Sequence, residues 1–267
     1  MRGLRPAAGL LAVFAGSLAL AQGDVRHSGY QDMGPALQKM QDDDTANPAM
    51  LFVQAGETLW SEKTGTAGKS CADCHNDATV SMKGVAARYP AVAAETGKPV
   101  DLEGRINLCR TNHQQALALA AESDDLLALS AYVALQSRGQ PIAPPDDVQL
   151  AALRANGAGI YRQRQGQLNL SCANCHDDNA EKKLAGATIP QAHPTGYPIY
   201  RLEWQALGSL KRRLRNCVVG MRAEAWPYDA REYLALESYL MERARGMVMD
   251  APGVRPLGRI APHAALP

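Results

Sequence analysis

The sequence has 267 residues and a formal net charge of +1, with 28 Lys and Arg against 27 Asp and Glu. Near-neutrality leaves no basic field for nucleic acid, and the length is enough for two small domains. Six cysteines and six histidines against only two phenylalanines point to cysteine and histidine chemistry rather than to an aromatic core.

At the N-terminus Arg2 and Arg5 precede an apolar run from Leu10 to Leu20, with the small residues Ala19 and Ala21 at its end. This pattern predicts a cleaved signal peptide over residues 1–21, because the run falls short of the ~20 residues that cross a bilayer. No later segment is apolar enough to span one, so the expectation is export to a periplasm without stable membrane insertion. Residues 22–49 contain Asp42-Asp43-Asp44 and too few apolar side chains for a core, and are expected to drape over the surface as an N-terminal extension.

From residue 50 the apolar positions follow helical spacing. Gly56-Glu57-Thr58-Leu59-Trp60 opens a first unit, and Leu126, Leu127, Leu129, Val133 and Leu135 mark its closing helix. Pro141, Pro144 and Pro145 lack amide donors and interrupt helix, which predicts a linker over 140–148 between domains at 50–139 and 149–250. The second unit repeats the first: Gly157-Ala158-Gly159-Ile160-Tyr161 answers Gly56–Trp60, and Ala235-Leu236-Glu237-Ser238-Tyr239 answers Ala128–Tyr132, each at a nearly constant offset. Residues 251–267 read as a C-terminal tail. The predicted fold is mainly α, with two tandem cytochrome c-like domains related by internal duplication and extended arms at both ends.

The chemistry lies in Cys71-Ala72-Asp73-Cys74-His75 and in its second copy, Cys172-Ala173-Asn174-Cys175-His176, which shares the offset of the glycine segments. A Cys-x-x-Cys pair alone also suits a redox dithiol, half a zinc site or a disulfide scaffold. The adjoining histidine, repeated in both copies, points instead to two covalently attached haems c, with His75 and His176 on the irons. Two further thiols remain, Cys109 downstream of His75 and Cys217 at a similar interval downstream of His176. Their matching places favour axial ligation of each iron by His and Cys over a Cys109–Cys217 disulfide. Met221 remains a rival ligand in the second copy, Met82 lies too close to His75, and His27, His113, His193 and His263 are weaker candidates. Lys211, Arg212, Arg213, Arg215 and Arg222 crowd the sequence around Cys217, whereas Cys109 has only Arg105 and Arg110. Guanidinium groups beside a thiolate lower its pKa and attract an oxyanion.

These residues resemble the dihaem SoxA family of bacterial sulfur oxidation. The resemblance rests on Met40-Gln41-Asp42-Asp43, Asn47-Pro48-Ala49-Met50-Leu51, Gly56–Trp60, both haem motifs, and Arg213-Leu214-Arg215-Asn216-Cys217 followed by Gly220-Met221-Arg222. It implies an L-cysteine S-thiosulfotransferase that joins thiosulfate to a cysteine of a SoxYZ-like carrier protein and passes two electrons to cytochrome c. A SoxX-like monohaem cytochrome would be its partner subunit. It further implies that His176 and Cys217 ligate the active-site haem, that Cys217 is carried as a persulfide, that Arg213 binds the oxyanion, and that Arg243 is a second anion contact. His75 and Cys109 would ligate the other haem. The alternative is a periplasmic dihaem electron-transfer cytochrome without sulfur chemistry; a dihaem peroxidase would need an open distal site.

Overall fold

In the computed structural model, which describes residues 24–184 and 186–256, two helix pairs cross at glycines. The expected signal peptide lies outside these residues. Ten α-helices occur among them: α1 (Pro35–Asp42), α2 (Ala49–Ser61), α3 (Ala72–His75), α4 (Ala78–Ser81), α5 (Leu102–Cys109), α6 (Asp124–Leu135), α7 (Val148–Arg162), α8 (Cys172–His176), α9 (Leu210–Gly220) and α10 (Arg231–Arg243). Helix α2 packs on α6 through Val53 and Trp60 against Leu127, Ala131 and Tyr132. Helix α7 packs on α10 through Leu153, Ile160 and Tyr161 against Ala235, Leu236 and Leu240. A Cβ on Gly56 would stand 2.1 Å from the Ala128 carbonyl oxygen, and one on Gly157 would stand 2.0 Å from that of Ala235. Only glycine lets these backbones approach so closely, which is why the two Gly-containing segments matched in sequence. The helical class and the opening-helix, closing-helix design are as expected.

Short strands, absent from the sequence reading, complete each half: β1 (Ala91–Ala93), β2 (Lys98–Val100), β3 (Lys183–Leu184), β4 (Ala187–Thr188), β5 (Ile199–Arg201), β6 (Ala206–Gly208) and β7 (Gly253–Arg255). Hairpin β1–β2 pairs Ala91 with Val100 and Ala93 with Lys98. Hairpin β5–β6 pairs Ile199 with Gly208 and Arg201 with Ala206, which repeats that register in the second half. At two or three residues, such strands leave no alternation to detect.

The segments flanking the two units are packed more firmly than expected. In the expected linker Ile142 is fully buried, and its amide and carbonyl bond to Met247 and Gly246 at 2.9 and 2.8 Å. The expected tail begins with β7, which joins β5 in parallel, and Val254 is fully buried. The N-terminal extension holds that strand: Gln41 Oε1 accepts from the Val254 amide at 2.9 Å and from Arg255 Nη1 at 2.8 Å. Further upstream, Arg26 Nη1 donates to the Arg243 carbonyl at 2.7 Å, occupying one of the free carbonyls at the end of α10. Residues that precede the first unit in sequence therefore lie on the second.

Candidate functional site

Each attachment motif sits on a single helical turn started by the serine before it. Asp73 N donates to Ser70 Oγ at 3.0 Å while Ser70 N donates to Asp73 Oδ2 at 2.9 Å. Asn174 N donates to Ser171 Oγ at 3.2 Å, and Ser171 N donates to Asn174 Oδ1 at 3.1 Å. This reciprocal cap explains the Asp and Asn inside the motifs and puts the two cysteines and the histidine on one face. Trp60 Nε1 donates to the Asn76 carbonyl at 3.0 Å, and Tyr161 donates through its hydroxyl to Asp177 at 2.8 Å. The opening helix of each half thus grips the residue that follows the motif histidine.

In the second half, His176 and Cys217 line one cavity with Ala187, Pro190, Ile199, Leu214 and Leu240. His176 Nδ1 lies 2.7 Å from the Pro190 carbonyl oxygen, which can only accept, so Nδ1 carries a proton and Nε2 is left as the nitrogen that can meet Cys217 or a metal. Burial pushes the Cys217 thiol up, but Arg213, a hydrogen bond with His176 and the charge of Arg201 outweigh it and bring it down to about 6. A histidine and a cysteine on the wall of one cavity, the histidine directly following the cysteine pair of its motif, fit a haem c.

The first half repeats this layout with different charges. Cys109 ends α5 near Cys71 and Cys74, and Gln114 Nε2 donates to Cys71 Sγ at 3.7 Å. Here burial holds the Cys109 thiol above its ordinary value even though Arg105 pulls it down. Arg105, one helical turn before Cys109, is clasped by Glu95, with Nη1 at 2.7 and 2.6 Å from the two carboxylate oxygens. Arg213 occupies the corresponding place before Cys217 and has no ion pair among the described residues, so its positive charge acts on the thiol. Cys109 and Cys217 are not bonded to each other, so the structure holds no Cys109–Cys217 disulfide.

The structure brings together only part of the basic run read from sequence. Of Lys211, Arg212, Arg213, Arg215 and Arg222, only Arg213 lines the cavity. Lys211 turns away to Asp101 and Glu103, Arg212 stacks over Trp204 at 4.3 Å, Arg215 lies over Tyr228 at 5.3 Å, and Arg222 is exposed. Residues on an eleven-residue helix point all round it, so sequence proximity overstates the cluster. Arg243 is not among the lining residues: its Nη2 lies 2.9 Å from Asp177, and its guanidinium stacks on Tyr161 at 5.0 Å. Met221 is buried outside the cavity lining, with its carbonyl against the loop at Leu168. His193, a weaker ligand candidate in the sequence, is partly buried on the cavity wall, with Nδ1 2.9 Å from the His27 carbonyl. Arg201 and Arg255, which no motif marks, also line it.

The SoxA/TsdA cytochrome c domain family matches residues 55–142 and 156–249, so both halves fall within it. The chain belongs to the SoxA family. It is 37% identical to the L-cysteine S-thiosulfotransferase subunit SoxA of Pseudaminobacter salicylatoxidans, covering 80% of this chain and 75% of that one. The SoxA subunit of Paracoccus pantotrophus is 34% identical over 87% of this chain and 80% of its own length. The crystal structure of SoxXA from P. pantotrophus superposes with a TM-score of 0.83 at 33% identity, covering 86% of this chain and 87% of that one. A SoxA-type cytochrome c domain implies bound haem c. Among the described residues, no helix is long and apolar enough to cross a membrane.

Proposed function

We propose that this chain is the dihaem subunit of a periplasmic L-cysteine S-thiosulfotransferase. On this reading it works with a SoxX-like monohaem cytochrome, joins thiosulfate to a cysteine of a SoxYZ-like carrier, and passes two electrons to an acceptor cytochrome c. The carrying observation is the placement of Cys217, His176 and Arg213 on the wall of one cavity, with Arg213 in no ion pair among the described residues. Cys71, Cys74 and His75 with Cys109, and Cys172, Cys175 and His176 with Cys217, would hold two haems. The haem supplies one-electron redox chemistry beside Cys217 when bound.

The chain's own residues divide the remaining work. Arg213 neutralises the sulfonate end of thiosulfate while the outer sulfur meets Cys217 Sγ. One S–S bond forms between them as two electrons leave for the acceptor. The carrier thiolate, having released its proton, then attacks the sulfur bound to the sulfonate, and Cys217 departs as a thiolate. Cys217 as a persulfide, implied by the family resemblance, places one more sulfur at this same position. Arg243, paired with Asp177, acts on this reading by holding the residue after His176 rather than by meeting the anion.

Intact-mass measurement of the carrier, with the partner cytochrome, thiosulfate and an electron acceptor present, tests this directly. Wild type and Cys109→Ala are expected to yield carrier bearing the whole thiosulfate unit as an S-thiosulfonate, and Cys217→Ala none. If wild type conjugates no thiosulfate to the carrier while its haems still exchange electrons, the electron-transfer cytochrome takes the place of the thiosulfotransferase.

A further inference from the structure

The cavity beside Cys217 contains a second guanidinium with unmet bonding capacity. Arg201 ends β5, is 9% exposed, and lines the cavity with Arg213 and Cys217. Its Nε is buried with no hydrogen-bond partner. Its one carboxylate contact, Nη2 to Glu203 Oε2, is long at 3.4 Å. Arg255, also on the wall, is already committed: its Nη1 donates to Gln41 Oε1 and to the Val254 carbonyl, both at 2.8 Å. A buried guanidinium with an unused donor is destabilising unless an acceptor enters. Arg213 adds like-charge repulsion, and burial together with that charge pulls Arg201 below its ordinary value. An anion between the two would relieve both penalties.

The internal duplication indicates which anion. The shared hairpin register equates Arg201 with Ala93, and by the same alignment Glu203 with Glu95. In the first half, the glutamate of the hairpin neutralises the helix arginine, Arg105, and no second arginine is present at Ala93. In the second half, the equivalent glutamate touches Arg201 instead, and Arg213 has no ion pair among the described residues. Both halves carry an attachment motif, so an arginine required to hold a carboxylate of the attached group would be needed in both. A guanidinium found only beside Cys217 answers to something only that cavity does.

Building on the thiosulfotransferase reading, we propose that Arg201 is a second binding residue for the substrate oxyanion, and that Arg201 on β5 and Arg213 on α9 together clasp the sulfonate end of thiosulfate. Two elements meeting at one anion would orient it, leaving the outer sulfur toward Cys217. Arg213 alone would supply charge without fixing direction.

The test is calorimetric titration of the haem-loaded complex with thiosulfate, without carrier or acceptor, on wild type, Arg201→Gln, Arg201→Lys and Arg222→Gln. Losing one charge-assisted contact in a desolvated site is expected to raise the dissociation constant of Arg201→Gln about 10- to 100-fold. Arg201→Lys should fall between it and wild type, because an ammonium keeps the charge but lacks the planar fork. Arg222→Gln, which removes an exposed cation outside the cavity, should stay within about twofold. If Arg201→Gln does not fold, an unchanged constant in Arg201→Lys decides against the proposal. A shifted haem potential with unchanged thiosulfate affinity also overturns it and makes Arg201 a holder of a haem carboxylate. Wild type that neither binds thiosulfate nor conjugates it to the carrier would remove the underlying reading; a conjugating wild type with unaltered Arg201→Gln affinity would remove this inference alone.

Discussion

Arg105 and Arg213 are the same residue type, one helical turn before equivalent cysteines, yet Glu95 neutralises one while no carboxylate pairs with the other among the described residues. The opposite shifts of Cys109 and Cys217 follow from that difference, together with the contact of His176 and the charge of Arg201 on Cys217. Sequence contained the asymmetry only in part, since the excess of basic residues near Cys217 is visible but the glutamate that silences Arg105 lies back in the β1–β2 hairpin. For conjugation of thiosulfate to the carrier, Arg213→Gln is expected to lower kcat/KM by about 10- to 100-fold, the value of a charge-assisted contact to a desolvated anion. Arg105→Gln should stay within about threefold of wild type. Equal losses in initial-rate measurements would show that the two arginines are functionally alike.

The offset between the halves changes along the chain, and the elements say why. It widens from the attachment motifs to the distal helices, and hairpin β3–β4, which appears only in the second half, lies within that stretch. After the distal cysteines it narrows again by a single position. Residues Arg110–Gln114 form a π-helical turn after Cys109, where the second half continues as α9 with Met221 N bonded to the Cys217 carbonyl at 3.0 Å. One extra residue in the first half is taken up by that wider turn. The helix crossings tolerate no such slack. Gly157→Ala is expected to lower unfolding free energy in denaturant titration by about 1–3 kcal/mol, because the added methyl meets the Ala235 carbonyl. Gly159→Ala, on the same helix with open space at its Cβ, should instead raise it by about 0.4–1 kcal/mol. A Gly157→Ala protein as stable as wild type would mean that the crossing relaxes.

At the scale of the whole molecule the two halves meet through Ala86, Ala134, Ile142, Met241 and Met249, and through a charged cluster beside this apolar contact. Lys211 bonds to Asp101 and lies 3.6 Å from Glu103, with Glu237 close enough to add repulsion. Burial and the neighbouring Asp101 push Glu103 up to about 8, and burial likewise raises Glu237. A carboxyl whose folded value exceeds its unfolded value favours the folded state while protonated in both. That contribution is complete below the ordinary value of 4.5 and is lost as pH rises through about 8. Glutamine mimics the protonated acid, so the stability of Glu103→Gln relative to wild type should increase between about pH 5 and pH 8, the span of the shift. A difference that is flat with pH in thermal or denaturant unfolding would rule out a buried protonated Glu103.

Sequence by itself determined the helical class, the duplication, the two Cys-x-x-Cys-His motifs and the matching places of Cys109 and Cys217, because each is carried by local spacing or by identity at a nearly constant offset. The crossing glycines Gly56 and Gly157 were legible for the same reason. The tertiary structure decided which charges meet. Arg201 and His193 reach the Cys217 cavity through a short strand and a loop, Arg243 turns to Asp177, and Lys211 leaves the basic run for the acids of the other half. Gln41, near the start of the described chain, secures a strand at its far end, which no local pattern could announce. Motif chemistry depends on neighbours along the chain, whereas electrostatics depends on neighbours in space, and only the folded chain brings the latter together.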